Sequence, residues 1–542
     1  MKTHSKILFA AIAALACSAP LQAQPARPKL VVGVVIDQMR WDYLYRYQAR
    51  YGEGGFKRLL NEGFSCENTR IPYVPSVTAI GHTCIYTGAV PSISGIVGNN
   101  FVKDGKKVYC TDDNTVKPVG TQSSAGLMSP RNLWVTTLGD EMRLASNGRA
   151  KVVGVALKDR ASILPAGHNP NGAYWFDDVT GTFITSSYYT NRLPAWVESF
   201  NREKRPDKYL SERWTTLYPK NTYQESTADD TPYEDGIREG GKATLPLDLP
   251  ALQKKYGYGI IRNTPSGNDL TLDMARAAIE GEHLGEDDET DLLAVSCSST
   301  DYIGHQVGIN AIETEDTYLR LDRSLADFFA YLDQHIGKGN YLLFLTADHG
   351  AMNNVGYLTD RKIPAGDWNC DAAAKRLNDA LRNAYPEAAD VVTYVMNYQV
   401  FFDRAKIHAN GLDFARIKQI VVDSLRADAA VLYACDMEKT ATEAIPDDVK
   451  FRIINGYNRE RSGDVALVLK PAFYTHGAKG TDHGAWNPYD THIPLLFMGW
   501  GITPGATTRP TFMTDITPTV AALLHVQAPN GCVGQSIFGR ER

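Results

Sequence analysis

Eight cysteines in 542 residues, none in C-x-x-C spacing, supply neither a thiolate zinc site nor a recognisable disulfide framework. Beyond an N-terminal leader no apolar run approaches the ~20 residues needed to cross a bilayer, so no transmembrane segment is expected. There is no basic block, and the formal net charge is −6, which excludes nucleic acid as the main partner. Internal repeats and low-complexity segments are missing as well. With 43% hydrophobic and 22% charged residues, what is left is a globular chain, long enough for one large domain with insertions or for two domains.

The leader reads as an address. Lys2 and Lys6 precede an apolar core from Ile7 to Ala16, and Leu21-Gln22-Ala23 follows, the pattern of a secretory signal over residues 1–23 cleaved after about Ala23. The mature chain from residue 24 is therefore expected to be exported to the periplasm. Lipid anchoring through Cys17 is the less favoured reading, because the Leu three positions upstream is missing.

The continuous apolar runs that do occur are short and end in chemistry. Lys29–Ile36 stops at Asp37, Lys151–Leu157 at Lys158-Asp159-Arg160, Asp291–Cys297 at Ser298-Ser299-Thr300-Asp301, and Tyr341–Thr346 at Ala347-Asp348-His349-Gly350. Such runs are strands covered on both faces, and the helical period of Ile312–Ile336 sets a helix between two of them. The expected fold is α/β, a doubly wound, mostly parallel central sheet with helices on both faces, whose ligands sit beyond the carboxyl ends of the strands. Residues 167–269, rich in Tyr, Trp, Pro and charge, read as insertions that partly roof the site. Residues 371–468 read as a small α/β subdomain, with helices Ala372–Asn383 and Asp413–Leu425 and strands Val391–Phe402 and Asp464–Leu469. The chain returns through Thr481-Asp482-His483-Gly484 into a final strand, Ile493–Met498, and a closing helix, Asp515–Leu524.

Pro75, then small and apolar residues, can start a helix with Thr78 in its first turn. Free amides and the helix dipole favour an anion there, so Thr78 is a candidate nucleophile towards a phosphate or sulfate ester, although a threonine at a helix start is ordinarily only a cap. The ligand candidates form two sets. Asp301 and His305, one helical turn apart, make with His483 a three-ligand metal site; Asp37, Asp348 and His349 make a second. Two adjacent N/O sites imply a two-metal centre of roughly 3.5–4 Å spacing, as used in phosphoryl transfer. Lys158 and Arg160, two apart at a strand end, are expected to project to one face and meet a dianion, Arg160 as a planar fork.

In this order, Asp37, Pro75–His82, Gly95–Asn99, Asp301-x-x-x-His305, Ala347–Gly350 and Thr481–Gly484 resemble the metal and nucleophile pattern of the alkaline phosphatase superfamily, over nearly the whole mature chain. The exported, phosphate-irrepressible type with a threonine nucleophile is the most similar in pattern. The resemblance implies two zinc ions as cofactors, one on Asp301, His305 and His483, the other on Asp37, Asp348, His349 and the Thr78 oxygen. It also implies that Asn99, Lys158 and Arg160 hold the phosphoryl group. Phosphodiesterases of the superfamily lack this Lys/Arg pair. The expected activity is thus alkaline phosphatase, hydrolysis of small phosphate monoesters through a phospho-threonine, with a phosphodiesterase or nucleotide pyrophosphatase as the alternative. Cys84 is not in the C-x-P-x-R context of a sulfatase, and the complete ligand set argues against a binding-only protein. No partner chain is implied, and a monomer is expected.

Overall fold

The computed structural model describes residues 27–237, 243–475, 477 and 479–539. The leader, with Cys17, lies outside the described residues.

Ten strands form the central sheet, in the order Gly505–Thr507, Phe64–Cys66, Leu495–Gly499, Tyr341–Thr346, Leu30–Ile36, Asp291–Cys297, Val152–Ala156, Gly172–Asp177, Thr182–Ser186 and Pro118–Val119. The five from Tyr341–Thr346 to Gly172–Asp177 are mutually parallel. All are buried along their length, which is why four of them read as unbroken apolar runs. Register does the rest. Ile36 pairs with Cys297 and Val35 with Thr346, so the three central strands end side by side and Asp37, Asp301 and Asp348 emerge at one edge. The helix Thr78–Thr87 lies across this core, buried throughout. Its Tyr86 sits where a side chain on Gly33 would be, with a hydroxyl 2.2 Å from the position of a Cβ there, so only glycine in the middle of the first strand lets the helix approach this closely.

Three expectations are revised. Gly172–Asp177 and Thr182–Ser186 extend the sheet rather than lie over it; their mixed aromatic and threonine content does not form an apolar run. The stretch Val391–Phe402 is a hairpin of Val392–Met396 and Gln399–Phe402, turned at Asn397 and Tyr398 with φ of 56° and 58°. The final strand starts at Leu495 rather than at Ile493, which pairs with Thr69 in a separate small sheet, and it runs antiparallel to Tyr341–Thr346. Residues 370–469 build a four-stranded sheet in the order Val392–Met396, Gln399–Phe402, Val465–Leu469, Val431–Asp436, with the helices Cys370–Ala384 and Phe414–Arg426 and an apolar core of its own. Among the described residues no helix is long and apolar enough to cross a membrane.

Candidate active site

Thr78 is the first residue of its helix. Val77 before it is extended, and no side chain caps the helix. The amide of Ala79 is taken instead by Asn99 Oδ1 at 2.9 Å, which uses the acceptor end of Asn99 and leaves its amide nitrogen to donate. One turn on, a Cβ at Gly81 would lie 2.5–2.8 Å from the backbone and Cβ of Asp348, so the helix rests directly on the strand end that supplies a ligand candidate. The loop entering the helix is tied to the returning loop by Ser76 N to Gly484 O, 3.2 Å, and Ser76 Oγ to Ala485 O, 3.0 Å.

Around Thr78 the ligand candidates converge. Asp301 Oδ1 is 3.1 Å from His305 Nε2 and 3.7 Å from His483 Nε2, the first distance following from i,i+4 spacing on the helix Ser299–Val307. His349 Nε2 is 3.5 Å from Asp37 Oδ1, 3.4 Å from Asp348 Oδ2 and 3.4 Å from Thr78 Oγ. The His349 and His483 rings stack at 3.4 Å, so the two sets share a wall. Each imidazole is aimed by a backbone carbonyl at Nδ1: Thr481 for His305 (2.9 Å), Ser76 for His483 (2.8 Å) and Gly350 for His349 (3.1 Å). A carbonyl can only accept, so each ring carries a proton on Nδ1 and turns Nε2 inward.

The carboxylates are arranged likewise. Asp348 Oδ1 accepts from the amides of Gln38 and His349, both 3.1 Å, while its Oδ2 is buried without a hydrogen-bond partner. Asp37 Oδ2 takes Lys158 Nζ at 2.6 Å, and its Oδ1 is likewise unpartnered. Lys158 also donates to Asp301 Oδ2 at 2.6 Å, so a single ammonium faces the carboxylates of both sets. Burial, then the neighbouring Asp348, pushes the Asp37 carboxyl well up. Burial would raise Asp301 too, but His305 and Lys158 hold it well below the usual range. Burial and the adjacent His349 push His483 down to about 3, keeping it neutral. For His305 burial acts downward, but Asp301 overrides it and pushes it up to about 9; a cation bound there would displace that proton. Orphaned carboxylate oxygens and inward Nε2 atoms in a site short of positive charge fit metal ions, and the N/O mixture fits zinc.

Lys158 and Arg160 do not stand on a strand. The strand stops at Ala156, and a helix, Asp159–Ala166, begins directly after Lys158, so Lys158 precedes the helix and Arg160 lies in its first turn. Lys158 is buried between the two sets, 3.5 Å from Thr78 Oγ. Arg160 donates to the Tyr109 hydroxyl at 2.9 Å. Neighbours not foreseen from sequence are Gln38, whose Nε2 donates to Asp301 Oδ1 at 2.7 Å; Tyr302, whose ring lies 5.0 Å from Lys158 Nζ; Asp482, 3.9 Å from His305 Nδ1; and His82, 3.3 Å from Asp348 Oδ2. All but Tyr109 stand beside a predicted ligand in sequence or one helical turn from Thr78, which was the available signal. Part of the irregular segment borders the site: Asp235 N bonds Gln306 O, and Gly480 N bonds Tyr233 O, both at 2.8 Å.

Fold and site together define an enzyme of the alkaline phosphatase superfamily. Within it, the chain belongs to the type I phosphodiesterase / nucleotide pyrophosphatase family, whose family model matches residues 31–492. It is similar to alkaline phosphatase PhoV of Synechococcus elongatus, 52% identical with 98% of each chain covered. Alkaline phosphatase PafA of Elizabethkingia meningoseptica is 53% identical over 94% of each chain. A protein of Myroides odoratus named calcium-transporting ATPase is 52% identical over 94% of each. The crystal structure of wild-type alkaline phosphatase PafA matches with a TM-score of 0.92, covering 94% of this chain and 98% of that one.

Proposed function

We propose that this alkaline phosphatase is an exported, monomeric, two-zinc phosphomonoesterase that passes through a phospho-threonine at Thr78 and releases inorganic phosphate. The observation that carries the reading is the placing of Thr78 Oγ, at a helix N-terminus, within 3.5 Å of both His349 Nε2 and Lys158 Nζ and between two sets of inward-facing donors. Asp301, His305 and His483 would hold one zinc ion and Asp37, Asp348 and His349 the other. When bound, the ions would stabilise charge on the attacking and leaving oxygens and make a hydroxyl or water acidic enough to react at neutral pH.

The chain's own residues supply the remainder. Thr78 Oγ forms a bond to phosphorus as the ester oxygen leaves; water then cleaves the phospho-threonine, freeing phosphate and restoring the hydroxyl. Lys158, with Asp301 and Asp37 beside it to outweigh burial, keeps its charge, so it serves as a donor to the phosphoryl group and not as a base. The Asn99 amide nitrogen and the Arg160 guanidinium are the other donors. Export rests on the Lys2–Ala23 pattern alone. The part of residues 167–269 beyond the strand Thr182–Ser186, and residues 371–468, are taken as insertions into one catalytic domain, and Tyr233–Asp235 borders the site.

The name of the matched family favours a second reading, a phosphodiesterase or nucleotide pyrophosphatase. The presence of both Lys158 and Arg160 weighs against it, since a diester offers one fewer charged oxygen to meet them. Rates on an aryl phosphate monoester and on its methyl diester decide: kcat/KM should favour the monoester by orders of magnitude, and equal or reversed values would establish the diesterase.

A further inference from the structure

We propose that Tyr109 is the positioning residue that sets Arg160 against a phosphate dianion, an inference that rests on the monoesterase reading above. Arg160 lies in the first turn of the helix Asp159–Ala166, next to an acid, yet that acid spends both oxygens elsewhere. Asp159 Oδ1 accepts from the Tyr109 hydroxyl at 2.9 Å and Oδ2 from Thr111 Oγ at 2.5 Å. The guanidinium donates through Nη1 to the oxygen of the same phenol, 2.9 Å away, while its Nε is buried with no hydrogen-bond partner.

Each link in this chain fixes the next. A carboxylate can only accept, so Asp159 accepts the hydrogen bond from the phenol O–H and turns the phenol lone pair towards Arg160. Burial keeps that phenol protonated, its pKa raised well above the ordinary value despite Arg160 nearby. The acceptor that orients the guanidinium is therefore neutral. A carboxylate in its place would form an ion pair and compete with phosphate for the charge; a phenol orients the fork and leaves the charge to the ligand.

Tyr109 also joins the two proposed phosphoryl donors, Asn99 and Arg160. It ends the hairpin Asn100–Lys103 and Lys106–Tyr109, pairing with Asn100, and the amide of Cys110 bonds Asn99 O at 3.0 Å. Asn99 and Tyr109 thus stand together at the open end of one two-stranded unit. That unit fixes Asn99 on the helix Thr78–Thr87 and Arg160 on the helix Asp159–Ala166.

Tyr109→Phe removes only the hydroxyl. It should lower monoester kcat/KM about tenfold, the order of one hydrogen bond to a charged group, weaken binding of inorganic phosphate by a similar factor and change methyl-diester kcat/KM less than about twofold. In an Arg160→Ala background the same change should add less than about twofold to either loss. Asp159→Asn, which can no longer dictate the phenol proton, should give a smaller loss of the same kind and serves if Tyr109→Phe folds poorly. Equal losses on both esters, or an undiminished tenfold loss in the Arg160→Ala background, would show a merely structural Tyr109 and overturn the proposal. Phosphate binding by isothermal titration decides on Tyr109 whichever ester is preferred, whereas a wild-type enzyme indifferent to ester type would sink only the monoesterase reading.

Discussion

At the scale of single residues, Thr78 and Asp113 show two different uses of a buried polar group. Thr78 Oγ has no close protein partner, with His349 Nε2 and Lys158 Nζ at 3.4 and 3.5 Å, as suits an atom that must bond to something else. Thr78→Ala should cost several powers of ten in kcat/KM, whereas Thr78→Ser should stay within roughly a hundredfold of wild type, because it keeps the nucleophilic oxygen. Near wild-type turnover in the Ala variant would dismiss the covalent route. Asp113 is instead saturated. Burial would raise its pKa, but hydrogen bonds from Ser129, Thr115 and Arg131 bring it down to about 2. A depressed carboxyl contributes stability above its unfolded pKa of about 4 and loses it as pH falls towards the folded value. Thermal melts of Asp113→Asn should therefore lie below wild type at pH 7, by about 1 kcal/mol in stability once solvent screening is allowed for, with the gap closing between pH 5 and pH 2. A gap that does not change with pH would refute this assignment.

At the scale of elements, the packing of the helix Thr78–Thr87 on the end of the strand Tyr341–Thr346 sets the distance between nucleophile and ligand. The clash that a Cβ at Gly81 would make is with Asp348 backbone atoms, which cannot swing aside. Gly81→Ala should push the helix away from Asp348, lowering kcat/KM at least tenfold together with bound metal, while circular dichroism shows the fold retained. Full activity with full metal content would mean that the helix has slack there.

Elements buried on both faces were the legible ones. Leu30–Ile36, Asp291–Cys297 and Tyr341–Thr346 read directly as apolar runs, and their polar ends pointed to Asp37, Asp301 and Asp348. Strands towards the sheet margins were not legible: Thr182–Ser186 carries two threonines and a serine, and Val431–Asp436 has two more open positions, Leu432 and Tyr433, near its start. The turn at Asn397-Tyr398 lacks the usual glycine, so two strands looked like one. The sequence suggests a strand end for both Lys158 and Arg160, because nothing in Leu157-Lys158-Asp159-Arg160 marks the switch from the strand that stops at Ala156 to the helix that starts at Asp159. Tyr109 was out of reach of any spacing argument, since its link to Arg160 spans 51 residues and exists only through the fold.

For the whole molecule, the balance of charge at the site governs stability as well as chemistry. Asp37, Asp301 and Asp348 are all buried, and among the described residues Lys158 is the one side-chain ammonium that touches any of them. Dialysis against a strong chelator should therefore abolish turnover and lower the melting temperature by several degrees, and zinc should restore both better than magnesium or calcium, given three imidazole donors. Full activity in metal-free protein, or rescue by magnesium alone, would contradict the zinc assignment.

The side-by-side ending of the three central strands also bears on when in its life the protein can acquire metal. Lys158 is 121 residues from Asp37 and 143 from Asp301, and Gln38 meets Asp301 across 263. No short peptide of this chain contains a whole donor set, and an unfolded chain would have to close loops of hundreds of residues to assemble one. An extended chain therefore carries no site with which to capture an ion, and loading of the set that includes Asp301 and His305 must follow the docking of the late loop that carries His483. Bound zinc, counted per chain, would then report how many molecules have finished folding.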